Sequence, residues 1–268
     1  MNFHVASSAA IHNTAQEWAQ KVVVNGGLYP SGSTIRALSD FMGGLDANDL
    51  TSKMISVVCF VPDNLIAAIT PLYQIGGRNP WLNTNFVLSD LTINGLAGNA
   101  SNKYLKTGLS ASMFPSTSSC GLSLYNSTAA TGTQIDFGCS VVTNHMYMAI
   151  DYQGVGQIFD CLTNTTPRLS KTNTSYTGFS SGNKTSSIAC RVDHASSTVN
   201  YTTFMTQSNA TGLRTADEFF MFTINPVQTY SGKRFSFAAL HHGLSFENGQ
   251  ILYTLVQAMR QRLGGGYV

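Results

Sequence analysis

Through the middle of the chain apolar residues fall on every second position, and near both ends they fall three and four apart. MYMAIDY places Met146, Met148, Ile150 and Tyr152 on one side of a strand, TVNYTTFM does the same with Val199, Tyr201 and Met205, and RFSFAAL with Phe235 and Phe237. EFFMFTI is apolar on both sides, which predicts a strand in the middle of a sheet, covered on both faces. Turn signals such as QGVGQ and SSGNKT separate roughly ten such runs between Leu91 and Leu240. Close spacing without an internal repeat predicts an antiparallel β-sandwich rather than a propeller or a β-helix.

The ends read as helix. Thr14 and Glu17 form a capping box, Trp18 and Val22 share a face, and Asn25-Gly26-Gly27 ends the first helix. A second helix starts near Ser33 with Ile35, Leu38, Phe41 and Leu45 at helical spacing, and Gly43-Gly44 interrupts it. Neither is long enough to stand alone, so they must pack on each other, on the KMISVVCFV strand, or on another subunit. Trp18, Val22, Ile35, Leu38 and Phe41 are therefore the candidate assembly interface. From Asp63 the chain reads as a connector, helical in DNLIAAITPL up to Pro71, then a loop holding Trp81. That tryptophan is either a platform for stacking a glycan or a plug at a junction, and the plug is favoured. At the C-terminal end Ser245 is the expected N-cap of a helix with Leu252, Leu255, Val256, Met259 and Leu263 on one stripe. Gln250, Gln257, Arg260 and Arg262 lie off the stripe, and Gly264 to Gly266 stop the helix. The expected division is a helical part over residues 1–90 and a β-domain over 91–268.

Composition narrows the function classes. Charged residues make up 10% of the 268, against a usual share of about 25%, so solubility rests on Ser, Thr, Asn and Gly. A formal charge of +2 without a basic run favours neither nucleic acid nor an anionic membrane as partner. MNFHVASSAAIHN lacks the features of a signal peptide, so synthesis in a cytoplasm is expected, with the seven N-x-S/T triplets read as turn chemistry rather than glycan acceptors. Five cysteines without C-x-x-C spacing are expected as reduced core thiols, Cys139 and Cys190 on the apolar sides of strands.

Two stretches carry a resemblance. LYTLVQAMRQRLGGGYV, Leu252 to Val268, resembles the C-terminal signature of many tailed-phage virion proteins, and NGLAGNASNKYLKTGL, Asn94 to Leu109, resembles the opening of their β-domain. The short helices followed by Lys53-Met54 fit the same pattern. The resemblance implies a laminin-G-like, concanavalin-like jelly roll in a virion structural protein, with other virion proteins as partners, a homo-oligomeric state, and weak attachment to host-surface glycan. A glycan-binding lectin is the alternative, and a polysaccharide hydrolase a further one.

Candidate chemistry is sparse. Two-carboxylate glycoside hydrolysis needs a pair of acids across one cleft, and the sequence holds three glutamates, Glu17, Glu218 and Glu247, with no E-x-D-x-x-E string. Asp136, Asp151 and Asp193 read as solvated positions on the polar sides of strands. His241-His242 diverge and lack a third ligand, so no metal or cofactor is expected. His145 and His194 could serve a thiol nucleophile, but core-facing thiols are inert. No catalytic residue emerges, and the expectation is a protein that is not an enzyme. Glycan-contacting loops, if present, fall at Asn126 to Thr131 and Asn164 to Tyr176.

Overall fold

The structure is a computed structural model that describes residues 10–266 apart from 117, 129–133, 142–143, 153–155, 164–168, 173–176, 188, 209–216 and 225–228. Residues 129–131 of the first candidate glycan loop, 164–168 and 173–176 of the second, 153–155 of the QGVGQ turn and residue 188 thus lie outside the described residues.

The chain runs α1 (Asn13–Val24), α2 (Gly32–Ala47), β1 (Met54–Cys59), α3 (Leu65–Ile69), β2 (Tyr73–Gln74), β3 (Leu82–Thr84), β4 (Leu91–Thr92), β5 (Gly95–Ala97) and β6 (Tyr104–Ser110). It continues with β7 (Cys120–Asn126), β8 (Phe137–Val141), β9 (Asn144–Ala149), β10 (Gln157–Thr163), β11 (Leu169–Lys171), β12 (Gly178–Ser186) and β13 (Ala189–Ala195). The last elements are β14 (Thr202–Ser208), β15 (Glu218–Met221), β16 (Arg234–His241) and α4 (Phe246–Arg262). The first sheet has the order β14-β13-β12-β7-β16-β1-β2, with β5 beside the start of β16 and β4 beside β5, and the second has the order β11-β10-β9-β8-β15-β6-β3. All pairings are antiparallel, so the expected jelly-roll sandwich is the architecture found.

A third layer lies outside the sandwich. Between the sheets sit Ile55, Val58, Leu105, Leu122, Leu124, Phe137, Met146, Met148, Phe159, Phe219 and Phe235. On the other face of the first sheet a second core joins Trp18, Leu38, Phe41, Val57, Tyr125, Phe179, Phe237, Leu252 and Val256. The α1, α2 and α4 layer therefore covers that sheet, and β1 is buried along its whole length because it faces a core on each side. EFFMFTI behaves as its pattern predicts: β15 lies between β8 and β6, with Phe219 and Met221 in the inter-sheet core. On its outer face Phe220 is stacked on Tyr104 at 5.4 Å.

The five proposed interface residues are covered by the chain itself. Trp18, Val22, Ile35, Leu38 and Phe41 are all buried in the helical core, Trp18 donating its indole N–H to the Thr70 carbonyl at 3.0 Å and Phe41 meeting the Phe237 ring edge-on. The helices satisfy their apolar stripes on the first sheet, so these side chains are not available to a partner. Trp81 is likewise no exposed platform. It is 2% exposed, packs against Phe60 and Phe137 between the sheets, and donates its indole N–H to Gln74 Oε1 at 3.3 Å.

Local details differ from the pattern for identifiable reasons. The N-cap of α1 is His12, whose Nδ1 accepts the Thr14 N–H at 3.1 Å while Nε2 meets Asp46 at 2.7 Å; Glu17, freed from the capping box, pairs with Arg78 at 2.9 Å. The α2 helix continues through Gly43-Gly44, and the missing Cβ at Gly44 lets Leu255 of α4 pack close against it. Phe235 and Phe237 face opposite cores, since β16 carries a bulge between them and a one-residue shift inverts the side-chain alternation. Tyr152 lies past the end of β9 and joins a small cluster with Ile135 and Tyr147 instead of the inter-sheet core.

On α4 the stripe docks as expected, with Leu252, Val256 and Met259 buried and Ser245 capping through its hydroxyl. Gln257 and Arg260, expected on the outer side, are buried too. The Arg260 guanidinium lies 3.7 Å above the Tyr125 ring and donates to the Gly266 carbonyl at 2.8 Å, so its charge is screened by an aromatic face and a carbonyl instead of water. Leu252→Ala is expected to lower stability by about 2–5 kcal/mol. Urea unfolding should show far-UV and near-UV signals shifting together, because helix and sandwich share the first sheet.

Candidate functional site

An open cleft of about 640 Å³ lies at the edge of the second sheet, between the β2–β3 connection and β6. Its rim is set by backbone geometry. Gly76 (φ 83°) and Gly77 (φ 126°) turn the chain out of β2, and Gly108 (φ 71°) bends β6. Trp81, rooted in the core below, holds the returning segment in place. The wall is part apolar, with Leu82 62% exposed and Ile75 43% exposed, and Pro80 and Met113 beside them. The polar groups are Gln74, Asn79, Lys106, Thr107 and Glu218.

Several of these are already oriented. Gln74 Oε1 accepts from Ser56 Oγ at 3.2 Å and from the Trp81 indole at 3.3 Å, which leaves its NH₂ as the end available to a ligand. Glu218 Oε1 accepts the Gly108 N–H at 2.6 Å and so pins the bend in β6, while Thr107 donates its hydroxyl to the Phe219 carbonyl at 2.8 Å. The Lys106 ammonium lies 5.4 Å above the Phe220 ring. A flat apolar surface beside fixed amide, ammonium and carboxylate groups can take a polyhydroxylated ligand, one ring face on Leu82 and hydroxyls on the polar rim. Nothing in the alternation of the sequence marks this place; the local signal that could have is Gly76-Gly77, a pair suited to a turn.

A second constellation has the geometry of a nucleophile and base but no access. Ser123 Oγ lies 2.7 Å from His241 Nε2, and His241 Nδ1 lies 2.7 Å from the His242 carbonyl, so Nδ1 carries the proton and Nε2 accepts from the serine. Both residues are fully buried, next to Ser181, Asn183 and Asp193 at the loop that leads into α4. Desolvation depresses His241 to about 4, and does the same to His194, whose Nδ1 lies 3.1 Å from Ser180 Oγ. His145 similarly bonds Ser140 at 2.6 Å, so neither histidine is placed to serve a thiol.

The three aspartates expected on solvated faces are all buried. Asp193 accepts Arg191 Nε on both oxygens at 2.8 Å, the Tyr201 hydroxyl at 3.1 Å and the Thr203 hydroxyl at 3.0 Å; burial raises its pKa, and these donors act against that rise. Asp136 sits against Lys233, and Asp151 is fully enclosed. The polar side of these strands is covered by further chain, which alternation does not reveal. Cys59, Cys120 and Cys139 are buried and outside any disulfide, as expected, burial pushing Cys120 up to about 12, whereas Cys190, expected as a reduced thiol too, is disulfide-bonded. Spacing along a sequence does not show which cysteines neighbouring strands bring together. Among the described residues no three His, Cys, Asp or Glu side chains cluster closely enough to hold a metal ion, and no helix is long and apolar enough to cross a membrane.

The buried histidines fix one pH response. Neutral in the fold and ordinary in the unfolded chain, they make the unfolded state bind more protons between about pH 6.5 and 4. Stability is therefore full above that window and falls as pH drops through it. A His241→Asn variant followed by urea unfolding at several pH values should show a shallower loss than wild type.

No family model matches the sequence, and no curated protein matches it. Solved structures do show similarity. An arabinofuranosidase complexed with arabinofuranosyl-α-1,2-xylobiose is 9% identical with a TM-score of 0.46, over 62% of this chain and 41% of its own. Domain 4 of AbnA, an extracellular arabinanase from Geobacillus stearothermophilus, in complex with arabinotriose, is 12% identical with a TM-score of 0.42, over 75% of this chain and 98% of its own. A Trypanosoma rangeli sialidase is 9% identical with a TM-score of 0.40, over 83% and 39%. The chain thus spans about two fifths of the arabinofuranosidase and of the sialidase. At these identities no residue role or activity passes to this chain. The expectation of a protein that is not an enzyme is withdrawn all the same, since glycoside hydrolases and a sialidase stand among the structures it is similar to.

Proposed function

We propose that the chain is a structural component of a tailed-phage particle whose jelly roll presents the β6 cleft to carbohydrate on the host surface. The observation that carries this reading is a coincidence of residues: the KYLKTGL run that resembles the opening of the virion β-domain is also the wall of the cleft, Lys106 to Leu109 lining it directly. The second resembling stretch forms α4 and its glycine stop, which fasten the helical layer to the first sheet. Cleft and fastening together suit a rigid body held on a particle and exposed at one edge. Cleft polarity and a charge-poor surface suit a hydroxyl-rich ligand better than a polyanion.

The test has two arms. Mass spectrometry of purified particles should find the chain in stoichiometric amount, and a glycan array should give saturable binding. Leu82→Asp, which charges an already exposed position and leaves both cores intact, should weaken that binding roughly tenfold or more, about 1.4 kcal/mol. Absence from particles together with a blank array would sink the proposal. Product release from a bound polysaccharide, lost in Glu218→Gln, would replace a structural role by a catalytic one.

A further inference from the structure

Asp136 immediately precedes β8 of the second sheet, and Lys233 immediately precedes β16 of the first, so their contact joins the two sheets at one end of the sandwich. Lys233 Nζ lies 3.2 Å from Asp136 Oδ1, and both side chains are 0% exposed. The carboxyl group is held from two further directions: the Ser231 hydroxyl donates to Oδ1 at 2.6 Å, and the Ile150 N–H donates to Oδ2 at 2.7 Å. Gln134 Oε1 lies 3.3 Å from Nζ and also accepts the Gly232 N–H at 3.0 Å, which fixes the amine from its other side. An amine and a carboxyl are thus kept in contact, away from bulk water, with hydrogen-bond donors polarising the carbonyl.

From this geometry we infer that Lys233 and Asp136 condense to an intramolecular isopeptide bond. One proton passes from Nζ to Oδ1 along the existing hydrogen bond, leaving a neutral amine and a neutral acid. The Nζ lone pair attacks Cγ, the Nζ–Cγ bond forms, and the Cγ–Oδ1 bond breaks. Oδ1 departs as water, carrying the proton it received and one of the two remaining amine protons, handed over along the same Nζ–Oδ1 contact of 3.2 Å. No electrons are transferred and no co-reactant is needed. Confinement supplies the rate, because a pair in fixed contact reacts as if one partner were present at very high concentration. The product exchanges a desolvated ion pair for a neutral amide and closes a loop between residues 97 apart.

Intact mass of the purified, fully reduced and denatured chain decides the matter. The expected mass is one water below that of the sequence, and peptide mapping should find the Asp136 and Lys233 peptides joined, with no tryptic cut after Lys233. Asp136→Asn should reach the same final mass as the linked wild type, since asparagine loses ammonia where aspartate loses water. Lys233→Met should keep its full sequence mass. A wild-type chain at its full sequence mass would show an ordinary ion pair and overturn the inference, as would a water loss that survives Lys233→Met. The wild-type measurement stands by itself if either variant fails to fold.

Discussion

The first sheet has apolar side chains on both faces, and a sheet of that kind cannot end at water. One face is closed by the second sheet; the other has to be closed by something else in the chain. That requirement explains why a β-rich sequence begins and ends in amphipathic helices. Val57, Tyr125, Phe179 and Phe237 on the outer face take Leu38 and Phe41 of α2 and Leu252 and Val256 of α4. The helices in turn gain from the sheet what they lack in length, since neither α1 nor α2 would persist alone.

Low charge content has a structural counterpart. With so few ionisable groups, several are spent inside: Asp136 with Lys233, Asp193 with Arg191, Arg260 over Tyr125. Each is held by more than one partner, as buried charge requires. Ser and Thr hydroxyls do much of that holding, so the hydroxyl-rich composition serves the interior as well as the surface. Ser231 on Asp136, Thr203 on Asp193 and Ser123 on His241 are instances.

Much of the architecture was legible because hydrophobic period reports directly on burial. The α4 stripe, the doubly covered β15 and the sandwich class all follow from spacing. What spacing could not carry was anything decided by a third element. The bulge in β16 sends Phe235 and Phe237 to different cores, and helical cover turns the polar side of β13 into an interior, burying Asp193. Arg260 reads as a surface residue until Tyr125 is beneath it. The cleft was least visible of all, since it arises where β2, β3, β6 and β15 meet across well over a hundred residues of chain. Glu218 acquires its role there only by reaching the Gly108 amide.

The two tryptophans are distributed one to each interior. Trp18 sits in the helical core with its indole on the Thr70 carbonyl, and Trp81 sits between the sheets with its indole on Gln74. Intrinsic emission is therefore a sum of two separately located reporters. Exchanging one indole at a time for phenylalanine would give each layer its own optical signal, and the two signals would tell whether the layers loosen in step or in succession.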